Sequence, residues 1–347
     1  MKRRVLTFSL FEAAQAASAP GLTPEQEEFL NNHTKKQWFK YNSKGEWRYD
    51  PATGLVDVEG FFDIKDQNLG DFKGIKFGKV LGFDCSGNNL TSLKGSPQKV
   101  IKNFDCNKNK LTSLKGSPQE VGGDFDCSFN KSLTSLDGAP QKVGGSFKCV
   151  ASSLTSLKEA PEEVGNKFDC GGNKLTSLKG APQIVGGNFD CAVNQITSLE
   201  GAPQSLKGYF FCFSNALTSL KGAPQEVGGD FICGDNPLTS LKGAPKEIGG
   251  KFDCQDLELE LDAGQWNPKG WTRVLVEGSP KAKELIRTIF SAEALNPEIQ
   301  KDPAGMMMAL KSLLKDPEFS EITSKLVWPK GYEDEVELVG GLSSLGF

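Results

Sequence analysis

The sequence predicts a β solenoid, a chain wound into stacked coils of about 21 residues with a short parallel strand in each. The first observation is internal repetition, because a segment like residues 168–188 (FDCGGNKLTSLKGAPQIVGGN) recurs from about residue 62 to residue 257. The second is the cysteine spacing, which is 21 residues throughout except for one spacing of 22 near Lys131 and Ser132. The third is the alternation of apolar and polar residues in Phe168-Asp169-Cys170, which is typical of a strand with one buried face.

The cysteines all occupy one position of the repeat. An odd number in register, one per coil, indicates a ladder of small buried hydrophobic side chains rather than disulfides. A reducing cytoplasm fits this use of cysteine best. The ladder consists of Cys85, Cys106, Cys127, Cys149, Cys170, Cys191, Cys212, Cys233 and Cys254.

An asparagine follows most of these cysteines by three residues. A buried asparagine stacked on its equivalents can bond the backbone groups that lose their partners where each strand turns. Ser152 interrupts the row and is predicted to be its weak rung. Pro182 and the pair Gly186-Gly187 then indicate an irregular return that is too short for a helix. The row comprises Asn88, Asn109, Asn130, Asn173, Asn194, Asn215 and Asn236.

The order Leu-Thr-Ser-Leu-x-x-x-Pro-x-x-Val, followed by Phe-x-Cys-x-x-Asn-x-Leu, resembles the short proline-bearing leucine-rich repeats of bacterial effectors. A fixed period of 20–29 residues is typical of leucine-rich repeats. The resemblance implies a curved parallel-β solenoid used for binding. Each coil is one residue longer than the shortest effector repeats, and Phe and Cys replace the usual aliphatic residues.

Residues 1–22 are predicted to form a flexible arm. Its basic start and the apolar run Val5–Phe11 resemble a secretory signal, but the run is short and ends at Glu12, which disfavours export. The segment Leu10-Phe11-Glu12-Ala13 resembles the pattern cut by the prohead protease of T4-like phages, and such an arm resembles the capsid-targeting peptide of their internal head proteins. Leu275-Val276-Glu277-Gly278 fits the same pattern, and an unprocessed arm is the alternative.

Residues 23–61 are predicted to form an N-terminal cap with α and β structure. Thr23 is a helix N-cap, Pro24 takes the first helical position, and Phe29 and Leu30 should face inward. A solenoid needs such a cap because its end coil would otherwise expose core residues.

The solenoid is predicted to span residues 62–257, and Phe62-Asp63-Ile64 should open a degenerate first coil with Leu69 and Phe72 at its leucine positions. Residues 258–347 should form a separate, mainly helical domain. Its helix starts are marked by Ser279-Pro280, Asn296-Pro297, Asp302-Pro303 and Asp316-Pro317.

Several function classes are disfavoured. The chain of 347 residues has a net charge of −4 and no apolar run long enough to span a membrane, so neither nucleic acid nor membrane is expected as a partner. Nucleophilic catalysis needs a base beside the nucleophile, and the single histidine, His33, does not indicate such a pair. The chain has no Cys-x-x-Cys pair, so a zinc site is not expected. Some effectors with similar repeats use a catalytic cysteine in a ligase domain, but residues 255–347 contain none. We therefore predict no enzyme, cofactor or metal, with an enzyme within residues 258–347 as a rival.

The residue between Phe and Cys should point outward in every coil. It is acidic in most coils, which predicts either a solvated face, a docking stripe for a basic partner, or a weak cation site. This column comprises Asp84, Asp105, Asp126, Lys148, Asp169, Asp190, Phe211, Ile232 and Asp253.

The coil of Cys212 departs from this polar pattern. Tyr209, Phe211 and Phe213 should share the outward face, with Ile232 beside Phe211 on the next coil. Exposed aromatic side chains on a polar face indicate a protein-binding site, toward which nearby acids would steer a basic partner. The alternative is that the arm or the C-terminal tail of the same chain covers them. The predicted site comprises Tyr209, Phe211, Phe213, Ile232, Asp169, Asp190 and Asp253.

The favoured interpretation is a non-enzymatic protein-binding or structural module of a bacteriophage, either virion-associated or packaged. It would then act in the virion or in the host bacterial cytoplasm. The alternative is a bacterial leucine-rich-repeat effector or surface adhesin that binds a host protein.

Overall fold

The computed structural model describes residues 21–36, 45–239 and 243–254, together with the single residues 300, 327 and 330. The chain divides into two compact units. The first runs to Ser153 and includes Glu159–Pro161, and the second takes Leu154–Lys158 and the chain from Glu162 on. Residues 1–20 of the predicted arm, and the predicted C-terminal domain apart from those three single residues, lie outside the described residues. The described stretches contain no helix whose length and hydropathy would carry it across a bilayer.

Helix α1, Pro24–His33, begins as predicted. The Thr23 hydroxyl accepts from the Gln26 backbone N–H at 3.2 Å, and the Gln26 side chain accepts from the Thr23 N–H at 2.9 Å. This capping box satisfies two backbone donors that the helix itself leaves unpaired. Phe29 and Leu30 are both buried.

A small antiparallel group of strands follows the helix. Strands β1, Thr34–Lys35, and β2, Glu46–Asp50, both pair antiparallel with β3, Leu55–Asp63. Strand β3 then pairs in parallel with β4, Phe77–Asp84, where Phe62 lies in register with Phe83. Strand β3 therefore carries Phe62 into the stack of parallel strands, and the Phe29 ring packs on Phe62 at a centroid distance of 5.7 Å.

The first unit continues as stacked coils with two short strands each. The Phe-Asp strands pair in parallel, and the buried Phe rings of successive coils lie 5.3–5.6 Å apart between centroids. The strands after β4 are β5, Lys99–Val100, β6, Phe104–Asp105, β7, Glu120–Val121, β8, Phe125–Asp126, β9, Lys142–Val143, and β10, Phe147–Lys148.

The second unit repeats this pattern. Its parallel Phe strands also stack their buried rings at centroid distances of 5.3–5.6 Å. Its strands are β11, Glu163–Val164, β12, Phe168–Asp169, β13, Ile184–Val185, β14, Phe189–Asp190, β15, Ser205–Leu206, β16, Phe210–Phe211, β17, Glu226–Val227, β18, Phe231–Ile232, β19, Glu247–Ile248, and β20, Phe252–Asp253.

The return of each coil is extended and contains a second strand of two residues. In the first unit, Val100 and Val121 are buried and pair in parallel, so the return also adds core. Glycine permits this approach: the Gly122 N–H donates to the Val100 carbonyl at 3.1 Å, and a Cβ on Gly122 would lie 2.1 Å from the Ile101 carbonyl oxygen. The paired glycines therefore serve close backbone packing as well as turning.

The asparagine row bonds backbone groups on two coils, as predicted. The Asn109 amide donates to the carbonyls of Cys85 and Cys106 at 2.9 and 3.1 Å, and its oxygen accepts from the Leu90 N–H at 3.0 Å. Ser152 breaks the row, and the Leu133 N–H donates instead to the Asn130 carbonyl at 2.9 Å. In this coil, which has one extra residue, a backbone carbonyl therefore replaces the asparagine side-chain oxygen as the acceptor.

The cysteine ladder is free of disulfides, and every ladder thiol except Cys254 is buried. Burial raises the pKa of Cys170 well above its ordinary value, and the thiol donates to the Asp190 carbonyl at 3.4 Å. Cys254 is partly exposed, which corrects the prediction of uniform burial. Parallel strands in coils of 21 residues, with Phe, Cys, Asn and Leu columns inside, make each unit a leucine-rich-repeat β solenoid.

Candidate protein-docking surface

The outward column of the second unit brings the predicted site residues together. Parallel register places Asp169 beside Asp190, then Phe211, Ile232 and Asp253 on successive coils. In-register neighbours of parallel strands lie about 4.8 Å apart. These five side chains therefore follow one another along a single face of the unit.

Tyr209, Phe211 and Phe213 form an aromatic row along one strand and its extensions. The Tyr209 and Phe211 rings stack with centroids 3.9 Å apart and planes 15° apart, and Phe213 lies 6.2 Å from Phe211 at 58°. All three side chains, like that of Ile232, are half-buried. They are therefore less exposed than the sequence predicted, because the rings cover one another.

Lys167 lies at the Tyr209 end of the aromatic row. Its ammonium lies 2.7 Å from Asp169 Oδ2 and 3.1 Å from Asp190 Oδ2, and its nitrogen lies 5.5 Å from the centroid of the Tyr209 ring. One lysine therefore contacts two acids and the first ring of the row. Burial alone would lower the pKa of Lys167, but its interactions with Asp169 and Tyr209 prevail and raise it. Lys167 was not among the residues predicted for the site, although it occupies the repeat position of Tyr209.

The three predicted acids are compensated within the chain. Lys167 serves both Asp169 and Asp190, and Lys251 lies 2.7 Å from Asp253. Burial first, and then repulsion from Asp169, raises the pKa of Asp190, while Lys167 acts against both. These carboxylates therefore exert less attraction on a basic partner than the sequence suggested, and their steering role stays a prediction.

Two other acids border the aromatic row. Phe210 N–H donates to the Asp230 carbonyl at 2.8 Å, which places Asp230 beside the row on the next coil, and Asp235 accepts from the Ser214 hydroxyl at 3.1 Å. Both acids are exposed, and among the described residues neither pairs with a lysine or arginine. The negative charge of this face that no lysine or arginine compensates therefore lies at Asp230 and Asp235, neither of which was predicted from the sequence.

The outward column of the first unit is partly buried rather than fully solvated. Asp84, Asp105 and Asp126 lie in parallel register, with Lys148 following Asp126. Asp84 is only 7% exposed. Burial raises the pKa of Asp105 to about 7, and it raises that of Asp84 as well.

Across the described ranges, no group of three or more His, Cys, Asp or Glu residues could hold a metal ion, so the weak cation site gains no support. The ring of His33 is half-buried and its Nδ1 lies 2.8 Å from the Asp63 carbonyl. Burial lowers the pKa of His33, and the ring joins the cap to the first coil.

Comparison with known proteins gives little beyond this geometry. No protein-family model matches the chain, and no curated protein matches it. Among solved structures it is similar to YopM from Yersinia enterocolitica WA-314, with 21% sequence identity and a TM-score of 0.39. The match covers 60% of this chain and 49% of that one, so the chain spans about half the length of the structure it matches.

Proposed function

We propose that the chain is a non-enzymatic protein-binding module and that the aromatic row of the second unit is its docking surface. The observation that carries this proposal is the stack of Tyr209 on Phe211, with ring centroids 3.9 Å apart. Phe211 stands in an outward column that is otherwise occupied largely by aspartate. Clustered aromatic side chains on a polar face mark interaction sites and often dominate their binding energy.

The row is held in place before any partner arrives. Lys167 pairs with Asp169 and Asp190, and its nitrogen lies 5.5 Å from the centroid of the Tyr209 ring, on which Phe211 stacks. A side chain that is already ordered loses less conformational freedom on binding. This arrangement therefore supports a role in recognition, because the rings lie outside the buried Phe column that forms the core.

The partner is a protein segment that combines apolar and basic side chains. The rings of Phe211 and Phe213 offer apolar contact, and a guanidinium group can stack on such a ring. Asp230 and Asp235 border the row as exposed carboxylates. Complementary charge at such a margin mainly raises association rates and selects among partners.

The test is selection of a displayed library of random peptides on the immobilised full chain, in parallel with selection on Phe211→Ala. We expect peptides that combine apolar residues with lysine or arginine to be enriched on the wild-type chain and lost on the variant. Enrichment of the same peptides on both proteins, or of none on the wild-type chain, would refute the proposal.

The biological setting that we propose is a bacteriophage, with the chain virion-associated or packaged and present in the virion or in the host bacterial cytoplasm. The resemblance of Leu10-Phe11-Glu12-Ala13 to a prohead cleavage site supports this. The alternative is a bacterial effector or surface adhesin, which the resemblance of the repeats supports. Mass spectrometry of purified phage particles decides between them: the chain should be present, and its absence from particles made in cells that contain it would favour the alternative.

A further inference from the structure

Val193 has a strained backbone on the face that carries the aromatic row. The second residue after the cysteine adopts a left-handed conformation in each coil of the second unit from Cys170 to Cys233, with φ of 67° at Gly172, 57° at Val193, 53° at Ser214 and 52° at Asp235. Glycine adopts this conformation freely, and short polar residues tolerate it. A β-branched residue there is a genuine outlier.

Burial does not compensate for this strain. The Val193 side chain is 53% exposed, so it contributes little to the core. Its backbone N–H donates to the Phe213 carbonyl at 3.0 Å, which places it beside the aromatic row on the neighbouring coil. Strained residues persist where the surrounding structure enforces them, and they cluster at binding and active sites.

We infer that Val193 belongs to the docking surface and extends the aromatic row by one coil. The surface then runs from Val193 over Phe213 and Phe211 to Ile232, with Asp230 and Asp235 at its margin. It takes an apolar peptide segment that carries basic side chains. This inference rests on the proposed function. It adds a contact residue at a position where glycine or asparagine would adopt the left-handed backbone with less strain.

Three variants separate strain from contact. Val193→Asn relieves the strain and removes the apolar surface, whereas Val193→Ile keeps both. Phe129→Asn is the matched control, because Phe129 has a φ of 58° and is 47% exposed at the same repeat position in the first unit. The probe is the fluorescein-labelled peptide most enriched in the library selection, titrated against each full-length variant by fluorescence anisotropy.

We expect Val193→Asn and Phe129→Asn each to raise the melting temperature by about 2–4 °C. Only Val193→Asn should weaken peptide binding, by about tenfold, which corresponds to about 1.4 kcal/mol. Val193→Ile should change neither quantity.

Each contrary result has a distinct meaning. If Val193→Asn is more stable than the wild-type chain but binds the peptide as tightly, Val193 is not part of the docking surface. If Val193→Asn is less stable than the wild-type chain, the backbone at Val193 is not strained. Enrichment of acidic peptides overturns the choice of a basic partner. Failure of the proposed function itself appears separately, as undiminished binding by Phe211→Ala.

Discussion

Replacing Asp105 by asparagine should stabilise the first unit at alkaline pH and have little effect in acid. Asp105 lies on β6 between Asp84 on β4 and Asp126 on β8. Burial is the main cause that raises the pKa of Asp105 to about 7, and the two neighbouring carboxylates raise it further. The hydrogen bond from the Asn107 N–H and the charge of Lys148 act in the opposite direction. The carboxyl group therefore folds most favourably in its protonated form.

The size and sign of the effect follow from this pKa. A folded-state pKa above the ordinary value of 3.8 gives stability that is fully present below about pH 4 and is lost as the pH rises through about 7. Each pKa unit is worth about 1.36 kcal/mol, so the free energy of unfolding should fall by up to about 4 kcal/mol by about pH 8. Water reaching the column would reduce this value. Asparagine at position 105 cannot ionise, so this pH-dependent loss of stability disappears. Its side chain keeps an oxygen that can accept from the Asn107 N–H.

The assay is urea unfolding of the wild-type chain and Asp105→Asn at about pH 4 and about pH 8, followed by circular dichroism. His33 acts in the opposite direction, because its lowered pKa gives stability that is lost as the pH falls, so the difference between the two proteins is the diagnostic quantity. Asp50→Asn is a control of opposite sign, since the Thr53 hydroxyl bond lowers the pKa of Asp50. An Asp105→Asn variant no more stable than wild type at about pH 8 would refute the reasoning.

Three further predictions concern the ladders and the arm. Asn173→Ala should lower the free energy of unfolding by about 1–3 kcal/mol, because the side chain bonds backbone groups on its own coil and its neighbour, and an unchanged urea midpoint would contradict the asparagine row. A thiol reagent should label Cys254 first in the native protein and the other ladder cysteines only after denaturation, whereas rapid native labelling of most of them would contradict their burial. N-terminal sequencing of particle-derived protein should find chains that begin at Ala13, and an intact Met1 throughout would contradict packaging.

The interior of the coils was predictable from the sequence because its residues recur at fixed positions. Phe, Cys and Asn each repeat with the period of the coil, so burial and stacking followed from the period alone. The extra residue near Lys131 also showed where one coil differs. Its consequence, the bond from Leu133 to Asn130 in place of a rung at Ser152, needed the backbone geometry.

The surface was less predictable, because its contacts join different repeat positions on different coils. Lys167 reaches Tyr209 two coils away, and no periodicity within one coil indicates that pairing. The same lysine neutralises acids that looked free in the sequence. The left-handed conformation of Val193 did have a sequence signal, since Gly87 and Gly172 occupy the equivalent position in other coils.

The most direct measurement of the central claim compares peptide binding by Phe211→Ala and Ile184→Ala. Ile184 is the matched control, because it is exposed on the second unit but lies on β13 rather than in the aromatic row. We predict that Phe211→Ala raises the Kd of the selected peptide about thirtyfold, equivalent to about 2 kcal/mol, while the chain stays folded, and that Ile184→Ala binds like wild type. Unchanged binding and stability in Phe211→Ala would remove the site, and unchanged binding with lost stability would show that the row is covered by the chain itself.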